Sequence, residues 1–106
     1  MTDKVVVFVS CENSDQARKI AETLVHEKLA ACVNITAPVQ SCYMWEGKLT
    51  WSDEVLAIIK TTRGRFSQLE SRIQSIHSYE VPEIVSIEID AGSEKYLSWV
   101  DRSVGG

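Results

Sequence analysis

Hydrophobic and polar positions follow two periods along this chain, and the switches between them mark its elements. Val5-Val6-Val7-Phe8-Val9 is an unbroken β-branched and aromatic run, the pattern of a central strand covered on both faces. It gives way to Asn13, Ser14 and Asp15, each competent to cap a helix. Ala17, Ile20, Ala21, Leu24 and Leu29 then recur at helical spacing, leaving Arg18, Lys19, Glu22 and Glu27 outward. From Ala30 to Thr36 the period drops to two, with Ala31, Val33 and Ile35 on one face and Cys32, Asn34 and Thr36 on the other. Pro38 has no amide donor and interrupts that strand, which resumes from Val39 to Trp45. Glu46-Gly47-Lys48 predicts a hairpin turn, with a return limb from Leu49 to Thr61.

Phe66, Leu69, Ile73 and Ile76 predict a second helix, capped by Thr62 or Ser67. His77 falls at its C-terminal end, where a charged imidazole is favoured by the dipole. A strand from Ile84 to Ile89 follows. Ser93 then caps a short last helix carrying Tyr96, Leu97, Trp99 and Val100. The order is strand, helix, strand, strand, helix, strand. It predicts an α+β, ferredoxin-like (βαββαβ) fold: an antiparallel sheet with two helices on one face, plus the short C-terminal helix. At 106 residues the chain is expected to be one domain over residues 1–106.

Charge and cysteine content narrow the partners. A net charge of −4 offers no general attraction to nucleic acid or to an anionic membrane. The apolar run Val5 to Val9 is too short for a membrane span, and Met1-Thr2-Asp3-Lys4 lacks the basic flank of an export signal, so a cytoplasmic protein is expected. Cys11, Cys32 and Cys42 are odd in number and widely spaced, which argues against a disulfide framework; Cys32 and Cys42 are read as buried free thiols.

The chemistry concentrates in His77-Ser78-Tyr79-Glu80-Val81-Pro82-Glu83, between the second helix and the last strand. Ordinary connections are rich in Gly, Asn, Asp and Ser, whereas this one carries groups that titrate, ligate and donate. Pro82 fixes its own φ and biases Val81 toward extended geometry, holding the segment open. The second concentration is the hairpin, where Tyr43, Trp45 and Trp51 have no core of their own to enter. Such side chains are enriched at interfaces, so the hairpin is expected to pair with another copy of the chain.

Several blocks in order resemble the CutA proteins, the divalent-cation tolerance family. They are Leu29-Ala30-Ala31-Cys32-Val33-Asn34-Ile35, Tyr43-x-Trp45-Glu46-Gly47-Lys48, Ile59-Lys60-Thr61, His77-x-Tyr79-Glu80-Val81-Pro82-Glu83-Ile84 and Tyr96-Leu97-x-Trp99. Ser78 departs from the family's usual proline after the histidine, and Glu12-Asn13-Ser14 replaces a turn in which proline is common. The resemblance implies a homotrimer joined edge to edge through the hairpin, and a role in tolerance of divalent metals, copper above all. It also implies a copper ligand at the end of the first strand, where this chain has Cys11. The architecture is similar to the trimeric PII-type signalling proteins, a likeness of fold alone.

Two functional readings follow. In the first the protein responds to copper or another divalent cation, with Cys11, His77, Glu80 and Glu83 as donors; His26, alone on a polar helix face, is a weaker candidate. In the second a small molecule binds in a cleft between subunits lined by Tyr43, Trp45, Lys60, His77, Tyr79 and Glu80, closed by Trp99 or Tyr96. Catalysis is not expected, because nucleophile arrangements, phosphate loops and hydrolase metal signatures are missing from the sequence. RNA binding is not expected either: of the two strands that would display stacking aromatics, the first offers only Phe8 and the last none.

Overall fold

The computed structural model describes residues 2–105. The order is β1 (Lys4–Cys11), α1 (Ser14–His26), β2 (Cys32–Ile35), β3 (Val39–Trp45), β4 (Lys48–Thr62), α2 (Phe66–Ile76), β5 (Ile84–Glu88) and α3 (Glu94–Ser103). The strands run β2-β4-β1-β5 with antiparallel neighbours, and β3 pairs with the first half of β4. This is the α+β ferredoxin-like arrangement that the periodicity predicts.

Local chemistry explains most boundaries. Asn13 caps α1 by accepting from the Gln16 amide, and Ser93 caps α3 by accepting from Tyr96. α1 ends before Leu29: Lys28 turns left-handed at a φ of 59°, and the amides of Leu29 and Ala30 close back on the Leu24 carbonyl. Neither Thr62 nor Ser67 caps α2 through its side chain; a single 3₁₀ turn, Arg63–Arg65, leads into that helix instead. Arg65 then reaches the Val104 carbonyl at 2.7 Å and fastens the end of α3.

The core lies on one side of the sheet. Val5, Val7 and Val9 of β1 and Val55, Ala57 and Ile59 of β4 pack with Ala17, Ile20 and Leu24 of α1 and Leu69 and Ile73 of α2. Each fully buried Ile or Leu there stabilises the fold by roughly 1.5–3 kcal/mol. The buried Thr61 hydroxyl is satisfied by the Leu29 carbonyl at 2.7 Å.

The other side differs from expectation. β1 is central, but α3 covers only one end of its second face, where Lys4 pairs with Asp101 at 2.7 Å and Ala31 packs on Val100 and Val104. Beyond that end, Val85 and Ile87 remain exposed beside Phe8 and Val6, their partners in the β1–β5 register. The unbroken apolar run of β1 therefore has a cover on one face and an open sheet on the other.

β4 is 15 residues long, and its first half leaves the body of the protein with β3 as a two-stranded ribbon. The radius of gyration is accordingly 14.3 Å, against about 13 Å for a compact chain of this length. The ribbon turns on two residues, Glu46 and Gly47, both left-handed at φ of 51° and 80°; Lys48, expected in the turn, already pairs with Trp45. At the break around Pro38, the Thr36 amide donates to the Leu56 carbonyl and the Leu56 amide to the Thr36 hydroxyl, each at 3.0 Å.

Register divides the ribbon into two faces. Val39, Ser41, Tyr43 and Trp45 share one with Glu54, Ser52, Thr50 and Lys48, while Cys42 and Trp51 lie on the other. The cysteine assignment is corrected too. Cys42 is exposed and Cys32 half-buried, because neither lies in the helix-covered core; the fully buried thiol is Cys11.

Candidate functional site

The turn after α2 is built around the His77 ring. Its Nε2 lies 2.8 Å from the Ser10 carbonyl, and its Nδ1 accepts from the Tyr79 amide at 3.0 Å. A carbonyl only accepts and an amide only donates, so the ring is the neutral Nε2–H tautomer. The His77 and Tyr79 rings pack 4.8 Å apart.

Two further bonds join the turn to the sheet. The Tyr79 hydroxyl donates to Glu54 Oε2 at 2.7 Å, and the Ser10 hydroxyl to Glu83 Oε1 at 3.0 Å. Glu54 is only 7% exposed. Burial, followed by the hydrogen bond to Glu54, holds the Tyr79 phenol above the ordinary tyrosine range.

Between the turn and the root of the ribbon lies a cleft of about 740 Å³. Tyr43 and Trp45 wall one side, Tyr79, Glu80 and Glu83 the other, and Glu54 forms part of its lining. Of the residues assigned to a ligand cleft from sequence, Tyr43, Trp45, Tyr79 and Glu80 meet here. His77 supports the turn through Ser10 without lining the cleft. Lys60 does not reach it; its ammonium bonds to Asn34 across the β2–β4 pair, on the body of the sheet. Tyr96 and Trp99 pack on each other in α3, with ring centroids 5.6 Å apart, and line no part of the cleft. Glu54 and Cys42 line it without having been singled out from sequence.

The four metal donors expected from sequence do not fit a single coordination shell. Cys11 is fully buried on the core side of β1, and burial, with the Glu54 charge a smaller cause, pushes its thiol up to about 11. A metal takes the thiolate, which burial disfavours here. Both His77 nitrogens are engaged, and Glu83 is bonded to Ser10. Among the described residues no group of three or more His, Cys, Asp or Glu side chains is placed to hold a metal ion. His26 ends α1 on the exposed surface.

Comparison with known proteins agrees with the fold. The profile of the family described as CutA1 divalent ion tolerance protein matches residues 5–103. The chain belongs to the CutA1 family. Divalent-cation tolerance protein CutA of Thermus thermophilus is 41% identical over 100 residues, which cover 94% of this chain and 97% of that protein. The chloroplastic protein CutA of Arabidopsis thaliana is 42% identical over 99 residues; the match takes in 93% of this chain and 54% of that one, so this chain spans about half of the plant protein. The solved structure of the T. thermophilus CutA1 superposes with a TM-score of 0.94 at 40% identity, covering 96% of this chain and 99% of that one. The CutA of Archaeoglobus fulgidus, described as periplasmic, gives a TM-score of 0.93 at 35% identity, covering 95% and 98%.

Membership in the CutA1 tolerance family agrees with the non-enzymatic reading of the sequence. Among the described residues no helix is long and apolar enough to cross a membrane. CutA proteins are variously called chloroplastic and periplasmic.

Proposed function

We propose that this chain acts in divalent-cation tolerance as a homotrimer, with copper or another divalent cation as the metal it answers to and a ligand cleft beside the His77 turn. The open sheet face carries the argument for assembly. Val85 and Ile87, 48% and 58% exposed, extend an apolar surface from Phe8 and Val6 that water disfavours. The ribbon adds to it: β4 pairs with β1 only from Val55 onward, so Lys48–Glu54 has β3 on one edge and an open edge on the other. Open edges are sites of strand pairing between chains. The threefold count follows the family resemblance, while the open face and edge argue for association itself.

The response to copper then works through the assembled protein, not through a four-donor shell of Cys11, His77, Glu80 and Glu83 within one protomer. A PII-like small-molecule sensor is the second reading, supported by a cleft whose volume of about 740 Å³ lies in the range of ligand pockets, about 300–1,000 Å³. Three cysteines without a disulfide suit the cytoplasm.

Ile87→Glu tests the assembly. Sedimentation velocity is expected to show the assembled species dissociating; an unchanged sedimentation coefficient contradicts the role given to this face. Calorimetric titration of the reduced protein with Cu(II) tests the metal. Binding is expected, and no affinity tighter than about millimolar removes that half of the proposal.

A further inference from the structure

We infer that the cleft beside the His77 turn takes an organic cation, an alkylammonium or quaternary ammonium group, set between the carboxylates of Glu54, Glu80 and Glu83 and the rings of Tyr43 and Trp45. The inference rests on the cleft being the ligand site and adds the chemistry of its ligand.

Charge is the first argument. Three carboxylates line the cleft, and among the described residues of the protomer no lysine, arginine or histidine does. The ion pairs among the described residues, Lys4 with Asp3 and Asp101, Arg63 with Glu88 and Arg72 with Glu27, involve none of the three. Glu54 is the telling one. A carboxylate 7% exposed is rarely left without a cation, yet its one hydrogen bond among the described residues comes from a neutral phenol. A ligand cation in the cleft supplies the missing counter-charge.

The aromatic wall is the second. Tyr43 and Trp45 alternate on β3, so both rings fall on the ribbon face that also carries Glu54. They are 41% and 52% exposed, and the Tyr43 hydroxyl is held by Ser52 at 3.2 Å. Open ring faces attract a cation through their quadrupole, and quaternary ammonium groups use this mode.

Size separates an organic cation from a metal ion. A divalent metal needs several donors converging at about 2.0–2.6 Å. No three acidic, histidine or cysteine side chains among the described residues are so placed, while the cleft holds about 740 Å³. A wide, anionic, aromatic-walled space favours a bulky and weakly hydrated cation. A nucleotide or other polyanion meets three carboxylates and, among the described residues of the protomer, no basic group.

The test follows tryptophan fluorescence at constant ionic strength while tetramethylammonium, its uncharged counterpart tert-butanol, or adenosine triphosphate is titrated into the full chain. Tetramethylammonium is expected to bind at least about tenfold more tightly than tert-butanol. Glu54→Gln, whose amide oxygen still accepts from Tyr79, is expected to lose that preference. If that variant fails to fold, the Glu80→Gln, Glu83→Gln pair at the turn takes its place. Equal binding of the two probes, no binding of either, a preference that survives the charge removal, or preferential binding of the nucleotide overturns the inference. Light scattering on the same samples separates the two claims. An assembled protein without cation preference overturns the ligand class alone, and a monomer that binds the cation overturns the assembly alone.

Discussion

Tyr79 donates its hydroxyl to Glu54 across 2.7 Å, tying the turn after α2 to the root of a ribbon 25 residues away in sequence. The bond holds the two walls of the cleft at a fixed spacing. It also gives a buried carboxylate its one partner among the described residues.

Removing that hydroxyl should therefore destabilise the protein out of proportion to its size. Tyr79→Phe leaves Glu54 buried and unpaired, at a cost of about 1–3 kcal/mol. Guanidinium unfolding of the variant against the parent measures it. A change below about 0.5 kcal/mol means that water reaches Glu54 and the bond matters little.

Alkali should weaken the fold through Cys11. Its thiol is pushed from 9.0 up to about 11 by burial, so between those values the unfolded chain releases a proton that the folded chain keeps. Stability is fully present below about pH 9 and falls as pH rises toward 11. Tyr79, also raised by burial, adds the same sign at still higher pH. Melting temperatures at pH 7, 9 and 10.5 should fall in that order, and Cys11→Ala should flatten the decline. Stability that rises across this window contradicts the buried, protonated thiol.

Thiol reagents should distinguish the three cysteines. Exposed Cys42 reacts first, half-buried Cys32 more slowly, and Cys11 only after unfolding. Mass mapping of labelled peptides at timed intervals checks the order. Early labelling of Cys11 would show that the end of β1 opens readily.

The ribbon turn should depend on Gly47 for its backbone alone. A Cβ at this position meets nothing within 4 Å, but φ is +80°, so Gly47→Ala costs roughly 1–2 kcal/mol in strain. Thermal unfolding measures the loss. A neutral substitution would mean that the turn relaxes to another form.

Element order was legible because each element carries its own period and punctuation. Asn13 and Ser93 announce caps, and Pro38 announces the break. Contacts set by register were not. Nothing in the return limb Leu49 to Thr61 marks out Glu54, and only the pairing of Val39 with Glu54 and the reach of Tyr79 place it in the cleft lining. Lys60 lies on β4 as Glu54 does, but six residues of strand, about 20 Å, separate the two, and it does not line this cleft within the protomer. His77 was legible as a key residue but its partner was not, since the Ser10 carbonyl it bonds lies 67 positions earlier. The cover expected over the second face of β1 is not supplied by the chain's own helices, and this links the sequence pattern to the proposed assembly.

That assembly is tested most directly by the mass of the particle in solution. Multi-angle light scattering after size exclusion, at micromolar protein, should give three times 11.9 kDa, about 36 kDa, in a single peak. A peak at 11.9 kDa, with Val85, Ile87 and Trp51 left to water, would contradict the account at its centre.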